Sequence, residues 1–195
     1  MGIVATEGSD FEPIPVGLHR AICINVFDIG YQPGYQGGPS HHQIVILWEI
    51  EPRDETTGKR FAVSKFYTLN IGDKSNLGAD LVSWRTKAFT KDELEGFDLD
   101  NIIGKPCQLN IVPNKNSPGK VKVGGVLPRA MATDPVTQKP APTKYWTPEL
   151  GRDFVPKFVT KMVAEQLPPP AVKSKTVQTV TGPDQGDGFT DDIPF

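Results

Sequence analysis

Lys59, Arg60, Lys65, Phe66 and Tyr67 lie within nine residues, mixing cations with flat aromatic rings on one short stretch. Cations track phosphates and rings stack on bases without base-specific hydrogen bonds, the stacking being worth roughly 1–3 kcal/mol per base. Read as a strand, the alternation puts Phe61, Val63, Tyr67 and Leu69 on one face and Arg60, Ser64 and Phe66 on the other. Phe66 falls on the more polar face and leads as a stacking candidate; its alternative is to pack beneath a later part of the chain. Tyr67 is a candidate whose spacing also suits the core, as does that of Phe61. Tyr31 and Tyr35, in a Gly- and Pro-rich stretch, are further platforms, and Lys74, Arg85, Lys115, Lys120 and Lys122 are further cations. Trp48 and Trp84 have the spacing of buried positions.

A second chemistry sits at the other end of the chain. Residues 176–195 hold four acids and no Lys or Arg, and close on Asp191-Asp192-Ile193-Pro194-Phe195. Such a segment has too little apolar surface to fold alone and is expected to be a disordered acidic tail. Its apolar tip suits capture by a partner: a pocket takes the Phe195 ring and basic side chains take the aspartates. Subtracting the tail changes the charge balance. The whole chain of 195 residues carries −2, while residues 1–175 have 19 acids against 21 bases. That weakly basic body permits a cationic groove without demanding one.

The elements that must position these residues are mainly strands. Leu18–Ile29 is an apolar, β-branched run, followed by the loop Tyr31–Pro39. Gln43–Ile50 reads as the second strand, with Ile44, Ile46, Trp48 and Ile50 on one face and Gln43 and Glu49 ending the other. Arg60–Ile71 is the third strand, after a polar hairpin connection. Leu77, Leu81, Trp84 and Ala88 then follow helical spacing, with Ser75 or Asn76 as N-cap. Thr90 and Glu93 form a capping box for a second short helix, with Phe89 and Leu94 spaced as a hydrophobic staple. Pro106–Val112 and Lys120–Leu127 are two more strands.

This order, three strands, a helix and two strands, predicts an all-β fold with a minor helix: a five-stranded OB-fold barrel with a C-terminal extension. An open sheet or sandwich with one helix is the alternative. Residues 1–127 form the barrel domain in this reading. Residues 128–167 form an extended segment, pinned by Tyr145 and Trp146, and a short helix from Pro156 packed on the barrel. Residues 168–195 form the linker and tail.

The ending resembles the C-terminal tip of bacterial single-stranded DNA-binding proteins, in which three aspartates precede Ile-Pro-Phe; Thr190 stands where the first would be. Segments of residues 60–112, among them Lys74-Ser75-Asn76-Leu77, Asp80–Arg85 and Gly104-Lys105-Pro106-Cys107, resemble phage-encoded single-stranded DNA-binding and replication proteins. The resemblance implies a protein that coats single-stranded DNA and recruits replication, recombination and repair enzymes through Asp191, Asp192, Ile193, Pro194 and Phe195. It also implies that the tip can compete with DNA for the protein's own basic face. It leaves the oligomeric state open, from monomer to tetramer. The rival expectation is an interaction protein that recruits host replication proteins without binding DNA itself.

Catalysis is not expected. The sequence offers no nucleophile elbow, no complete phosphate loop and no dinucleotide fingerprint; Thr57-Gly58-Lys59 reads as a hairpin turn. No cofactor is expected. No ligand spacing suits a structural zinc, and adjacent His41 and His42 point to opposite strand faces. Cys23 and Cys107 sit in apolar runs and read as buried free thiols of a reducing cytoplasm. No apolar run is long enough for a membrane span, and the N-terminus lacks a leader pattern. Met1–Thr6 fits a myristoylation pattern loose enough to arise by chance. A bacterial cytoplasm is the expected location, that of the host if the chain is phage-encoded.

Overall fold

The structure, a computed structural model, describes residues 13–133 and 139–170. The expected tail, with Asp191, Asp192, Ile193, Pro194 and Phe195, lies outside the described residues. The architecture is mostly β. Strands β1 (Gly17–Gln32), β2 (His41–Arg53), β3 (Arg60–Thr68), β4 (Pro106–Pro113) and β5 (Val121–Leu127) form one antiparallel sheet in the order β3-β2-β1-β4-β5. β6 (Met131–Thr133) and β7 (Pro140–Pro142) form a separate small pair. Helices α1 (Asn76–Arg85) and α2 (Lys91–Glu95) lie between β3 and β4, and α3 (Lys157–Ala164) follows the last strand.

The sheet is curled rather than flat. Its two edge strands, β3 and β5, come into contact, although no backbone ladder joins them among the described residues. α1 packs against both edges. Its Asp80 ties them: Oδ2 accepts from Lys65 Nζ (2.6 Å) and Tyr67 Oη (2.7 Å) on β3, and Oδ1 from the Val126 N–H (3.4 Å) on β5. Ile46, Trp48, Leu81, Leu109 and Ile111 fill the interior of the curl. Each such side chain contributes roughly 1.5–3 kcal/mol by leaving water.

A second, smaller core lies on the outside, where Ile29 and Val45 of the sheet meet Val159 and Met162 of α3. This explains the main departure from simple alternation. Ile44 through Ile50 of β2 are all buried, on both faces, because the interior claims one face and the C-terminal extension the other. Glu49 is itself 0% exposed. β1 is also longer than its apolar run suggests. A register shift between Asp28 and Tyr31 carries it past Gly30, whose φ of +66° lies in the left-handed region that favours glycine.

Local signals set the helix starts. Ser75 caps α1 by accepting from the Gly78 N–H (2.9 Å), and Thr90 with Glu93 closes the capping box of α2. The expected staple differs: Phe89 packs edge-on against Phe97 (5.3 Å) while Leu94 is exposed. α1 ends at Thr86, so Ala88 is not in the helix, and Pro156 caps α3 rather than opening it.

Cys23 and Cys107 are free and buried in the interior, and burial pushes both thiols well above their ordinary range. The reactive thiolate is therefore scarce in the folded state. A thiol reagent should label neither cysteine natively and both after unfolding. Leu109→Ala should cost about 2–5 kcal/mol in denaturant titration and speed labelling in proportion to the unfolded fraction.

Candidate nucleic-acid interface

Strand β3 is an edge with two unlike faces. Val63, Lys65 and Tyr67 point toward α1 and the interior, while Phe66 points outward and is 46% exposed. Clefts open along the seam between β3 and β5 and continue past the end of β3. One of ≈ 570 Å³ is lined by Lys59, Arg60, Phe61, Lys120 and Val121, among others. The next, of ≈ 380 Å³, lies between Lys65 and Phe66 of β3 and Lys122 and Gly124 of β5. The third, of ≈ 420 Å³, runs from Phe66 and Gln43 to Asn70, Lys74 and Asn76 at the start of α1. Phe66 borders the last two. One half-exposed ring thus sits along a line of exposed cations, Lys59, Lys120, Lys122 and Lys74.

The outer face of the β1–β2 part of the sheet, the face on which Phe66 lies beside Val45, is largely covered. Residues 143–167 cross it and are fixed at successive points. Arg20 Nη1 donates to the Lys144 carbonyl (2.9 Å), and Tyr145 Oη donates to the Cys107 carbonyl (2.9 Å). Asn25 Nδ2 holds the Arg152 carbonyl (2.7 Å), and the Leu167 N–H reaches the Tyr31 carbonyl (2.7 Å). The central fixing point is Glu49. Its carboxylate accepts from Trp146 Nε1 (2.6 Å) and from the backbone N–H groups of Glu149 (2.8 Å) and Leu150 (3.0 Å). Arg60 supplies the opposite charge, its Nε 3.8 Å from Glu49 and 3.7 Å from Glu149, with the guanidinium 4.2 Å over the Trp146 ring. A salt bridge from Arg53 (2.5 Å) holds the Glu149 carboxyl below its usual range.

These contacts sort the residues expected from sequence. Lys59, Phe66, Lys74, Lys120 and Lys122 come together along the seam. Lys65 borders it but is held by Asp80. Tyr67 is 3% exposed; burial, and then the Asp80 charge, push its phenol far above its ordinary range, and its ring belongs to the core. Arg60 is part of the Glu49 clasp. Arg85 pairs with Glu93 and lies over the rings of Phe89 and Phe97 (4.8 Å each), on another side of α1. Lys115 is exposed in the β4–β5 turn, outside the three clefts. Tyr31 is in β1 rather than a loop, its ring stacked 5.0 Å from His42, and Tyr35 opens a short 3₁₀ turn, Tyr35–Gly37. Phe66 meets both of its expected alternatives, being half exposed and in contact with Phe158 of α3 (5.8 Å).

Sequence reasoning missed Gln43, Asn70 and Asn76, whose amides line the third cleft, and the roles of Glu49 and Asp80. Val45 and Leu47 share the Gln43–Glu49 face of β2 and mark it as covered, but nothing local identifies the segment of residues 143–167 as the cover. Among the described residues, no three or more His, Cys, Asp or Glu side chains gather to hold a metal, and no helix is long and apolar enough to cross a membrane.

Glu49→Leu removes the acceptor for three donors and the nearest buried counter-charge to Arg60, an exchange that costs roughly 3–5 kcal/mol when a buried pair is broken. The expected outcome is early protease cleavage within residues 143–156 and faster amide exchange there, with the interior strands still protected. No protein-family model matches the chain and no curated protein matches it in sequence, so the interface is read from its own geometry.

Proposed function

We propose that the protein binds single-stranded DNA, largely without sequence preference, along the seam between β3 and β5, in the manner of an OB-fold barrel. The carrying observation is Phe66, an exposed ring on an edge strand, flanked by Lys122 on one side and Lys74 on the other. A base stacks on such a ring whatever its identity, and the lysines follow the phosphates. The OB reading is supported by the strand order, with β1 shared between β2 and β4, by α1 between β3 and β4, and by the contact of β3 with β5. In this reading the barrel coats transient single strands in phage or bacterial replication, recombination or repair. The tip Asp191–Phe195 recruits partner enzymes.

One observation favours the rival, a recruiting protein that does not bind DNA. The outer face of β1–β2, part of the sheet surface that OB barrels offer to nucleic acid, is covered by residues 143–167. A fluorescence titration with oligo-dT at several salt concentrations separates the two. Binding should weaken as salt rises, because each neutralised phosphate releases counterions. Phe66→Ala should weaken binding by about 1–3 kcal/mol with the salt slope unchanged. Lys122→Gln and Lys74→Gln should each flatten the slope by roughly 0.7, the increment for one phosphate contact on a single strand. No binding at low salt would leave the recruiting role alone.

A further inference from the structure

A pocket of ≈ 540 Å³ lies at the far end of β5 from the Lys120 cleft and shares no lining residue with the three seam clefts. Trp84, Phe97, Ile102 and Pro106 line its apolar part, and Arg85, Lys105 and Arg129 add positive charge. Glu93 neutralises Arg85, although the Arg85 Nη1 is buried with no hydrogen-bond partner among the described residues. Lys105 is exposed, and neither it nor Arg129 has a carboxylate partner among the described residues. The pocket therefore combines an apolar floor with two cations that face no carboxylate among the described residues, Arg129 being held by the Thr143 carbonyl (2.8 Å) and the Tyr145 ring. That combination suits an acidic peptide carrying a large apolar side chain.

We infer that this pocket holds the chain's own segment Asp191-Asp192-Ile193-Pro194-Phe195. Ile193 or Phe195 would sit on Trp84 and Phe97, and the aspartates would face Lys105 and Arg129. Charge complementarity selects the occupant, since residues 176–195 carry four acids and no Lys or Arg. Reach permits it: the chain from 171 to 191 spans up to about 70 Å when extended, more than the width of a domain this size. The neighbouring cleft of ≈ 710 Å³ is also apolar, with Leu69, Ile71, Leu94 and Leu99, but its lining charges are Asp73 and Glu95. Like charge turns the acidic segment away from that cleft and toward Lys105. Docking in the pocket shelters the tip while leaving the seam open, so the tip need not displace DNA from its own protein. A partner enzyme would instead compete with the pocket for the tip.

The test uses the full chain with Phe195→p-benzoylphenylalanine, irradiated without DNA, so its result is independent of the DNA-binding reading. Cross-links should map within the chain to residues 84–106 and around Arg129. Lys105→Glu should cut their yield about tenfold, a change of about 1.4 kcal/mol. Adding Asp192→Lys to Lys105→Glu should restore the yield, which a merely misfolded pocket would not allow. Cross-links on the β3–β5 seam, a cross-linked dimer as main product, an unchanged yield in Lys105→Glu, or no cross-link would each overturn the assignment.

Discussion

The arrangement depends on a carboxylate buried in the middle of a strand. Glu49 is fully enclosed, and an ionised side chain there is sustained only if its oxygens are hydrogen-bonded and its charge is answered. β2 and its neighbours do not supply those donors. Trp146, the Glu149 N–H and the Leu150 N–H do, roughly a hundred residues later in the chain, and Arg60 answers the charge from β3. Without the extension, Glu49 would face water beside Val45 and Leu47 and leave an apolar strip exposed. With it, Val45 joins Ile29, Val159 and Met162 in a second core beneath α3, and Leu47 is buried too. The extension is thus part of the folded domain, and its position decides which surfaces remain for binding.

One consequence is that the candidate interface moves to an edge. A sheet that curls without closing a ladder leaves two strand edges side by side, normally a site of unwanted pairing. Asp80 links the edges from the helix between them, accepting from side chains of β3 and a backbone N–H of β5. The same contact withdraws Lys65 and Tyr67 from solvent. What remains along the seam is Phe66 with lysines at intervals, and the polar amides of Gln43, Asn70 and Asn76 at one end.

Much of this frame was legible in the sequence because it rests on local rules. Strand alternation placed Ile44, Ile46 and Trp48 inward, Ser75 and Thr90 marked helix starts, and the order of elements predicted a mostly β fold. Tyr145 and Trp146 were legible as pins because large aromatic rings in a Pro-rich stretch need somewhere to pack. What the pins hold was not legible. Glu49 and Asp80 act through partners distant in sequence, and a carboxylate in an alternating pattern looks the same whether water or an indole N–H meets it. Phe66 was left between two roles for the same reason: only the arrival of Phe158 shows that the ring is half covered and half free.

The cations divide by chemistry in a way that bears on binding. Each arginine among the described residues is engaged: Arg20 with Glu51, Arg53 with Glu149, Arg60 in the Glu49 clasp, Arg85 with Glu93, Arg152 with Asp100, and Arg129 on the Thr143 carbonyl and the Tyr145 ring. A planar guanidinium suits these stacked and forked contacts. The seam cations, Lys59, Lys74, Lys120 and Lys122, are lysines, exposed and without ion pairs among the described residues. An ammonium on a flexible stem follows a moving phosphate backbone without fixing its register. In the proposed function that freedom suits a surface that slides over any sequence. The body's small excess of positive charge is therefore a poor guide to the proposed site, since five of the six described arginines pair with carboxylates while the seam lysines do not. In the proposed binding mode, affinity set by a few mobile point charges and one ring is moderate and strongly dependent on salt, because each phosphate contact releases counterions and stacking carries no base identity.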